Sequence, residues 1–248
     1  MTIQEMLHRF SRLVKVIGED SFKTLNDKCI LVLGVGGVGG YTVEALARSG
    51  IGKLITVDFD NVDETNINRQ IIALESTIGL KKVDVFEKRI KEINKECEVI
   101  KIDQFITVDN LEELFKYNID YFIDACDTTS VKKEIIRKCI NKKVPFISCM
   151  GTGNKLDPSK LEICDIRNTS NDPLARMIRK FVKDEKISSK VMVLCSSEVP
   201  VETGERTPGS SMFVPASAGI MIASYVVRKI IKKIALNAIF CFVLKFSI

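Results

Sequence analysis

Cys29-Ile-Leu-Val-Leu-Gly34-Val-Gly36-Gly37-Val-Gly39-Gly40, then Val57-Asp58-Phe59-Asp60, then Thr65-Asn66-Ile67-Asn68-Arg69-Gln70: these segments decide the fold. An apolar strand runs into a glycine turn, a helix follows, and a second strand ends on a carboxylate. That order makes a mononucleotide-binding βαβ unit. Gly34, Gly36, Gly37 and Gly39 remove side chains where backbone N–H groups must approach phosphate, and the helix start adds partial positive charge. Asp58, at the end of the second strand, is placed to take both ribose hydroxyls. These residues alone suit NAD, FAD or ATP equally, or a purely structural turn. Arg69 and Lys82 discriminate between them. A bound pyrophosphate is satisfied by backbone amides, whereas attack on an α-phosphate builds charge that an arginine fork and a lysine ammonium stabilise. Taken singly, each of the two also reads as a solvated surface cation.

Outward from this unit, apolar strand signals recur at 30–33, 54–57, 99–102, 121–123 and 146–149. Helical patterns lie between them at 38–49, 81–94, 111–117 and 131–141, after an amphipathic start over 4–16. Alternation of this kind predicts an α/β fold with a doubly wound, largely parallel sheet of Rossmann type. The second half elaborates it. A strand is expected at 161–166, a helix at 174–184 entered through Asp172-Pro173, a strand at 191–195 and an apolar helix at 214–231. Residues 198–210 carry Pro, Gly and Glu with no apolar period and read as a loop. One domain over 1–233 is expected, followed by an apolar tail, 234–248.

The 248 residues suffice to bury a core, and 46% hydrophobic with 28% charged residues is ordinary for a globular chain. A net charge of +5 is compatible with an RNA or phosphate-rich partner, or with a lysine-rich surface. None of the eight cysteines forms a Cys-x-x-Cys pair, which favours reduced, buried thiols over a disulfide framework or a zinc ribbon. His8 is the single histidine, so His-centred triads and His-rich metal sites are excluded. Without an apolar leader in the first residues a cytoplasmic location is expected. The basic run Arg228, Lys229, Lys232 and Lys233 followed by the apolar tail suggests a peripheral membrane contact, or else a helix packed on its own domain or on a partner subunit.

Asp124 and Asp127 fall at the carboxyl end of the fourth strand signal, where ligands sit in such sheets. Asp124 reads as structural. Asp127 either holds Mg²⁺ against phosphates or caps the helix that begins near Ser130.

Together Gly34-x-Gly36-Gly37-x-Gly39, Asp58, Asn66-x-x-Arg69-Gln70, Gly79-x-x-Lys82 and Asp124-x-x-Asp127 resemble the ubiquitin-activating-enzyme-like superfamily, which adenylates carboxylates with ATP and Mg²⁺. The resemblance implies that Asp58 holds ribose, that Asn66, Arg69 and Lys82 engage the triphosphate beside Gln70, and that Asp127 organises Mg²⁺. Arg9-Phe10-Ser11-Arg12 resembles the family's Arg-aromatic-x-Arg element. That likeness implies a homodimer in which Arg12 acts on the neighbouring subunit's ATP. Within the superfamily, residues 150–158, Asp165-Ile166, Thr169-Ser170, 172–176 and 208–210 resemble the tRNA threonylcarbamoyladenosine dehydratases.

The chemistry implied by this resemblance is dehydration of threonylcarbamoyladenosine in tRNA. Adenylation of the threonyl carboxylate makes AMP the leaving group. The neighbouring carbamoyl oxygen can then close a five-membered ring, a step that gains from intramolecularity and needs no enzymic nucleophile. Cys126, Cys149 and Cys195 are accordingly read as packed thiols, while Asn154, Lys155 and Arg176 are candidates for RNA contact. The alternative is adenylation of a ubiquitin-like or sulfur-carrier protein, with a sulfur-transfer partner; the missing zinc cysteines argue against it. An NAD-dependent oxidoreductase lacks a hydride-site pair, and a non-catalytic adaptor has only the tail in its favour.

Overall fold

The computed structural model describes residues 3–205 and 207–245, with side chains described for 4–205 and 207–231. Three short helices lead: α1 (Ile3–Arg9), α2 (Ser11–Ile17) and α3 (Glu19–Asn26). The single amphipathic start expected over 4–16 is broken at Phe10, which is buried, its ring centroid 5.3 Å from that of Phe22 on α3. α3 itself is mostly polar and buries only Phe22 and Leu25, too few apolar positions to mark a helix in the sequence.

β1 (Cys29–Leu33), α4 (Gly37–Arg48) and β2 (Lys53–Val57) form the βαβ unit. α5 (Lys82–Ile93), β3 (Glu98–Ile102), β4 (Tyr121–Asp124), α6 (Thr129–Lys142) and β5 (Phe146–Cys149) continue the alternation. The segment expected as a helix over 111–117 is a 3₁₀ helix, Leu111–Lys116, and buries Leu111 and Leu114, one three-residue turn apart. The second half adds β6 (Leu161–Asp165), α7 (Pro173–Asp184), β7 (Met192–Ser196) and α8 (Phe213–Lys245).

The seven strands run in the order β3-β2-β1-β4-β5-β7-β6. All neighbours are parallel except β6, which pairs antiparallel with β7 at the edge. Every residue of β1 is buried, because helices cover both faces of the sheet and leave no solvent side to alternate with. One face packs Ile30, Val32 and Leu54 against Leu46 of α4 and Ile222 and Val226 of α8. The other packs Leu31, Ile55 and Phe122 against Val131 and Ile135 of α6. A third cluster seats Ile178 and Val182 of α7 on Ile136 and Val193. This is the doubly wound, largely parallel α/β sheet read from the sequence.

α8 closes the first face. Its Phe213–Ile231 part is long and apolar enough to cross a membrane by length and composition, yet half of it is buried within the protein. There Thr42 of α4 donates its hydroxyl to the Gly219 carbonyl at 3.2 Å. The backbone stays helical through Lys245, but the side chains on which an apolar tail over 234–248 depends lie outside the described residues.

Candidate active site

Chain direction across the sheet reverses between β1 and β4, so the connections leaving these strands diverge and open a crevice at their carboxyl ends. A cleft of about 280 Å³ occupies it, with Gly34, Gly36, Asp58, Arg69, Lys82 and Asp127 in its walls. Gly34 has φ +83°, and a Cβ there would come within 2.8 Å of the Ala125 carbonyl oxygen. A Cβ on Gly39 would come within 1.8 Å of the Gly34 carbonyl oxygen. The first turn of α4 therefore lies directly on the turn that leaves β1. α4 begins at the cleft with no side-chain cap, so its first amides remain available to an anion. Gly39 and Gly37 act behind the wall rather than in it. Gly37 sits against Pro215 of α8, which a Cβ would approach to 3.3 Å.

The charged residues are held by short local bonds. The Asp58 carboxylate accepts from the backbone N–H of Val35 at 2.8 Å and of Asp60 at 3.0 Å, one bond to each oxygen. The buried Lys82 ammonium donates to Asp60 at 2.6 Å and stands 4.0 Å from Asp58. Arg69 uses only Nη1, donating to the Thr65 carbonyl at 2.7 Å and to Asn68 Oδ1 at 2.9 Å. Its other N–H groups make no bond among the described residues. Gln70, also in the wall, buries Oε1 with no donor. An orphaned acceptor in a cleft calls for a ligand N–H or O–H.

Asn66 stands outside the cleft wall. It is buried and closes a capping box, its Oδ1 accepting from the Asp63 N–H at 3.2 Å, so it shapes the turn that carries Arg69 and Gln70. Asp127 is exposed in the cleft and pairs with no cation among the described residues; its one hydrogen bond, 3.4 Å, comes from the Thr128 hydroxyl. It does not cap α6, whose N-cap residue is Thr128, so the capping alternative falls away. Asp124 is structural. Fully buried, it accepts from Ser148 and, at 3.0 Å, from the equally buried Lys132. Burial opposes the Lys132 charge most strongly, but the surrounding groups together, the Asp124 carboxylate first among them, outweigh it and hold the ammonium above its ordinary pKa.

Arg12 lies on α2, exposed, away from the cleft of its own chain and without a partner among the described residues. One candidate for RNA contact is corrected. Lys155 is buried and donates to the Ser196 carbonyl at 3.1 Å, so it is consumed in holding loops together. Asn154, half-buried, spends its Oδ1 on the Gly209 N–H, while its Nδ2 makes no bond among the described residues. Arg176 is exposed. Burial pushes the thiols of Cys126 and Cys195 up, and that of Cys149 to about 12, so all three are protonated at neutral pH and serve as packing.

Sequence reasoning missed Asp60 as the partner of Lys82, although it lies two residues beyond Asp58. It also missed an aromatic wall: Phe59 and Phe105 meet edge to face at 4.7 Å, each about half exposed, offering apolar surface to a base. Phe105 follows β3 in a loop with no motif. A larger groove, about 650 Å³, opens near Lys28, Asp120 and Pro145 at the opposite ends of the strands. It gathers none of the glycine-loop residues, so the nucleotide chemistry belongs to the smaller cleft.

The model of the ThiF family matches residues 10–240. A tRNA threonylcarbamoyladenosine dehydratase of Bacillus subtilis (strain 168) is 41% identical over an alignment that spans 94% of this chain and 99% of that protein. The protein of the same name from Escherichia coli (strain K12) is 33% identical, spanning 92% and 95%. Among solved structures, the E. coli dehydratase TcdA in complex with ATP superposes with a TM-score of 0.87 at 35% identity, covering 92% of this chain and 96% of that one.

Proposed function

The chain belongs to the ThiF family, and on that premise we propose that it is an ATP-dependent tRNA threonylcarbamoyladenosine dehydratase. It would close the threonylcarbamoyl side chain of a tRNA adenosine into a ring with loss of water. The observation that carries this reading is the convergence of Gly34, Asp58, Arg69, Lys82 and Asp127 on one cleft, beside the orphaned Gln70 oxygen. Similarity to dehydratases over nearly their full length supports the choice of substrate.

ATP, when bound, would supply the adenylyl group that makes a carboxylate oxygen part of an AMP leaving group, with pyrophosphate released. The chain's part is binding, orientation and charge. Asp58, fixed by two backbone N–H groups, retains lone pairs for ribose hydroxyls, and Gln70 Oε1 accepts from a ligand N–H or O–H. Phe59 and Phe105 offer the base an apolar wall. The free N–H groups of Arg69 neutralise phosphate oxygens. Lys82 does the same by exchanging Asp60 for phosphate, and the released Asp60, 46% exposed, returns to water at small cost. Asp127 suits Mg²⁺, which takes one or two carboxylates and completes its shell with waters and substrate phosphates. The exposed, unpartnered Arg12 supports a homodimer in which it reaches the neighbouring cleft. A tRNA substrate implies a cytoplasmic protein. The sulfur-transfer partner draws on no described residue, and of the basic run behind the membrane contact only Arg228 and Lys229, both exposed, have described side chains; neither partner forms part of this proposal.

The test is nucleoside mass analysis of tRNA carrying threonylcarbamoyladenosine after incubation with the protein and MgATP. The expected product is lighter by one water, with AMP formed alongside. Arg69→Ala is expected to slow it by about 10²–10³. Unchanged nucleoside mass with the wild-type protein sinks the reading.

A further inference from the structure

α7 carries an unbalanced cationic groove. Arg167, Arg176, Arg179, Lys180, Lys183 and Lys186 line a shallow depression of about 630 Å³ whose remaining walls are Val182 and Ile187, with no carboxylate among the lining residues. Two of the cations are anchored. Arg167 is held by Asp165 at 2.9 Å and by the Ser189 carbonyl at 3.2 Å, and Arg179 donates to the Thr169 carbonyl at 2.7 Å. The other four, Arg176, Lys180, Lys183 and Lys186, are exposed, and their side chains make no hydrogen bond or ion pair with any described residue. Like charges one helical turn apart repel, so the cluster is kept against a cost. The arginine cluster around Arg9 is balanced instead: Arg48 and Arg89 gather there, but both pair with Glu44.

The start of the groove's helix borders the carboxyl-end edge of the sheet. Asp172, the N-cap of α7, accepts from the Ala175 N–H at 3.0 Å and from the Gly151 N–H at 2.8 Å. Gly151 follows β5, the neighbour of β4, and β4 leads into Asp127. The cations thus start near the carboxyl ends of the strands and extend over about 10 Å of helix from 176 to 183, with Lys186 just past its end at Asp184. A single phosphate needs two or three donors at one point. Three free cations strung along a helix and a fourth just past its end, with two fixed guanidinium forks beside them, match successive phosphates of one strand.

We propose that the α7 groove binds the sugar-phosphate backbone of the substrate RNA flanking the adenosine presented to the cleft. This rests on the dehydratase reading and gives it a surface. Base identity is not read there; the groove positions the strand by charge.

The test compares two triple variants of the full chain with equal loss of charge: K180A/K183A/K186A in the groove and K88A/K95A/K116A elsewhere on the surface. Binding of tRNA is titrated across a salt series, and thermal melting confirms that both variants fold. The groove variant is expected to bind at least about tenfold more weakly and to flatten log K against log salt by about 2, while the control stays near wild type. Equal losses in both variants, or no change in the groove variant, overturn the proposal; in the latter case an acidic protein surface becomes the occupant to seek. Wild-type protein that binds tRNA through this groove yet leaves nucleoside mass unchanged would instead refute the dehydratase reading alone.

Discussion

Glu44 on α4 is nearly buried, between two arginines. Arg89 grips both its oxygens, at 2.6 and 3.1 Å, and Arg48 adds a third bond at 2.7 Å. Burial alone would raise the carboxyl pKa, but the hydrogen bonds from Arg89 and Arg48 outweigh it and hold the pKa below its ordinary 4.5. A carboxyl depressed on folding adds stability that is complete above its unfolded pKa and is lost as pH falls through the lower, folded one. Glu44→Gln is therefore expected to cost about 1–3 kcal/mol near neutral pH, with the gap to wild type closing below about pH 4.5. Urea unfolding at several pH values checks it; a gap that persists unchanged in acid sinks the assignment. At this scale the sequence marks charge but not its surroundings. That Asp58, Arg69, Lys82 and Asp127 share one cleft is legible because their order along a βαβ unit places them at the carboxyl ends of its strands. Lys155 was misread because a cation in a polar loop looks solvated until the loop folds over it.

Elements were legible where capping and apolar period agree. Asp172-Pro173 announces the start of α7, and the structure gives Asp172 a second duty in tying that helix to Gly151 after β5. Asp172→Ala removes both bonds and is expected to cost about 2 kcal/mol. Asp172→Asn retains an acceptor for the cap and should recover part of that loss. Denaturant midpoints with an unchanged m-value would bear this out, whereas an alanine variant as stable as wild type would show the tie to be idle. The opening helices were less legible. Their break depends on Phe10 docking against Phe22, a contact that no local pattern encodes.

At the scale of the whole molecule, Arg12 bears on assembly. Exposed and remote from its own cleft, it contributes to the proposed chemistry only if a second copy receives it. Arg12→Ala and Arg69→Ala proteins, each impaired alone, are expected to complement when mixed under exchange. Random pairing makes half the dimers mixed, and each mixed dimer holds one intact site, so activity should return to about a quarter of wild type. No recovery despite demonstrated exchange would place Arg12 outside the partner's site.

The sequence by itself determined the βαβ unit, its parallel continuation and the residue types of a triphosphate site. These follow from backbone geometry and charge within short spans, where glycine, apolar period and capping residues act locally. Only the tertiary structure decided the strand order with its antiparallel edge, the burial of α8 against α4, and which residues share the cleft. It also left three cations of α7, and Lys186 just past its end, without partners among the described residues. Those outcomes depend on contacts between positions far apart in the chain, set when packing both faces of the sheet fixes each element's neighbours.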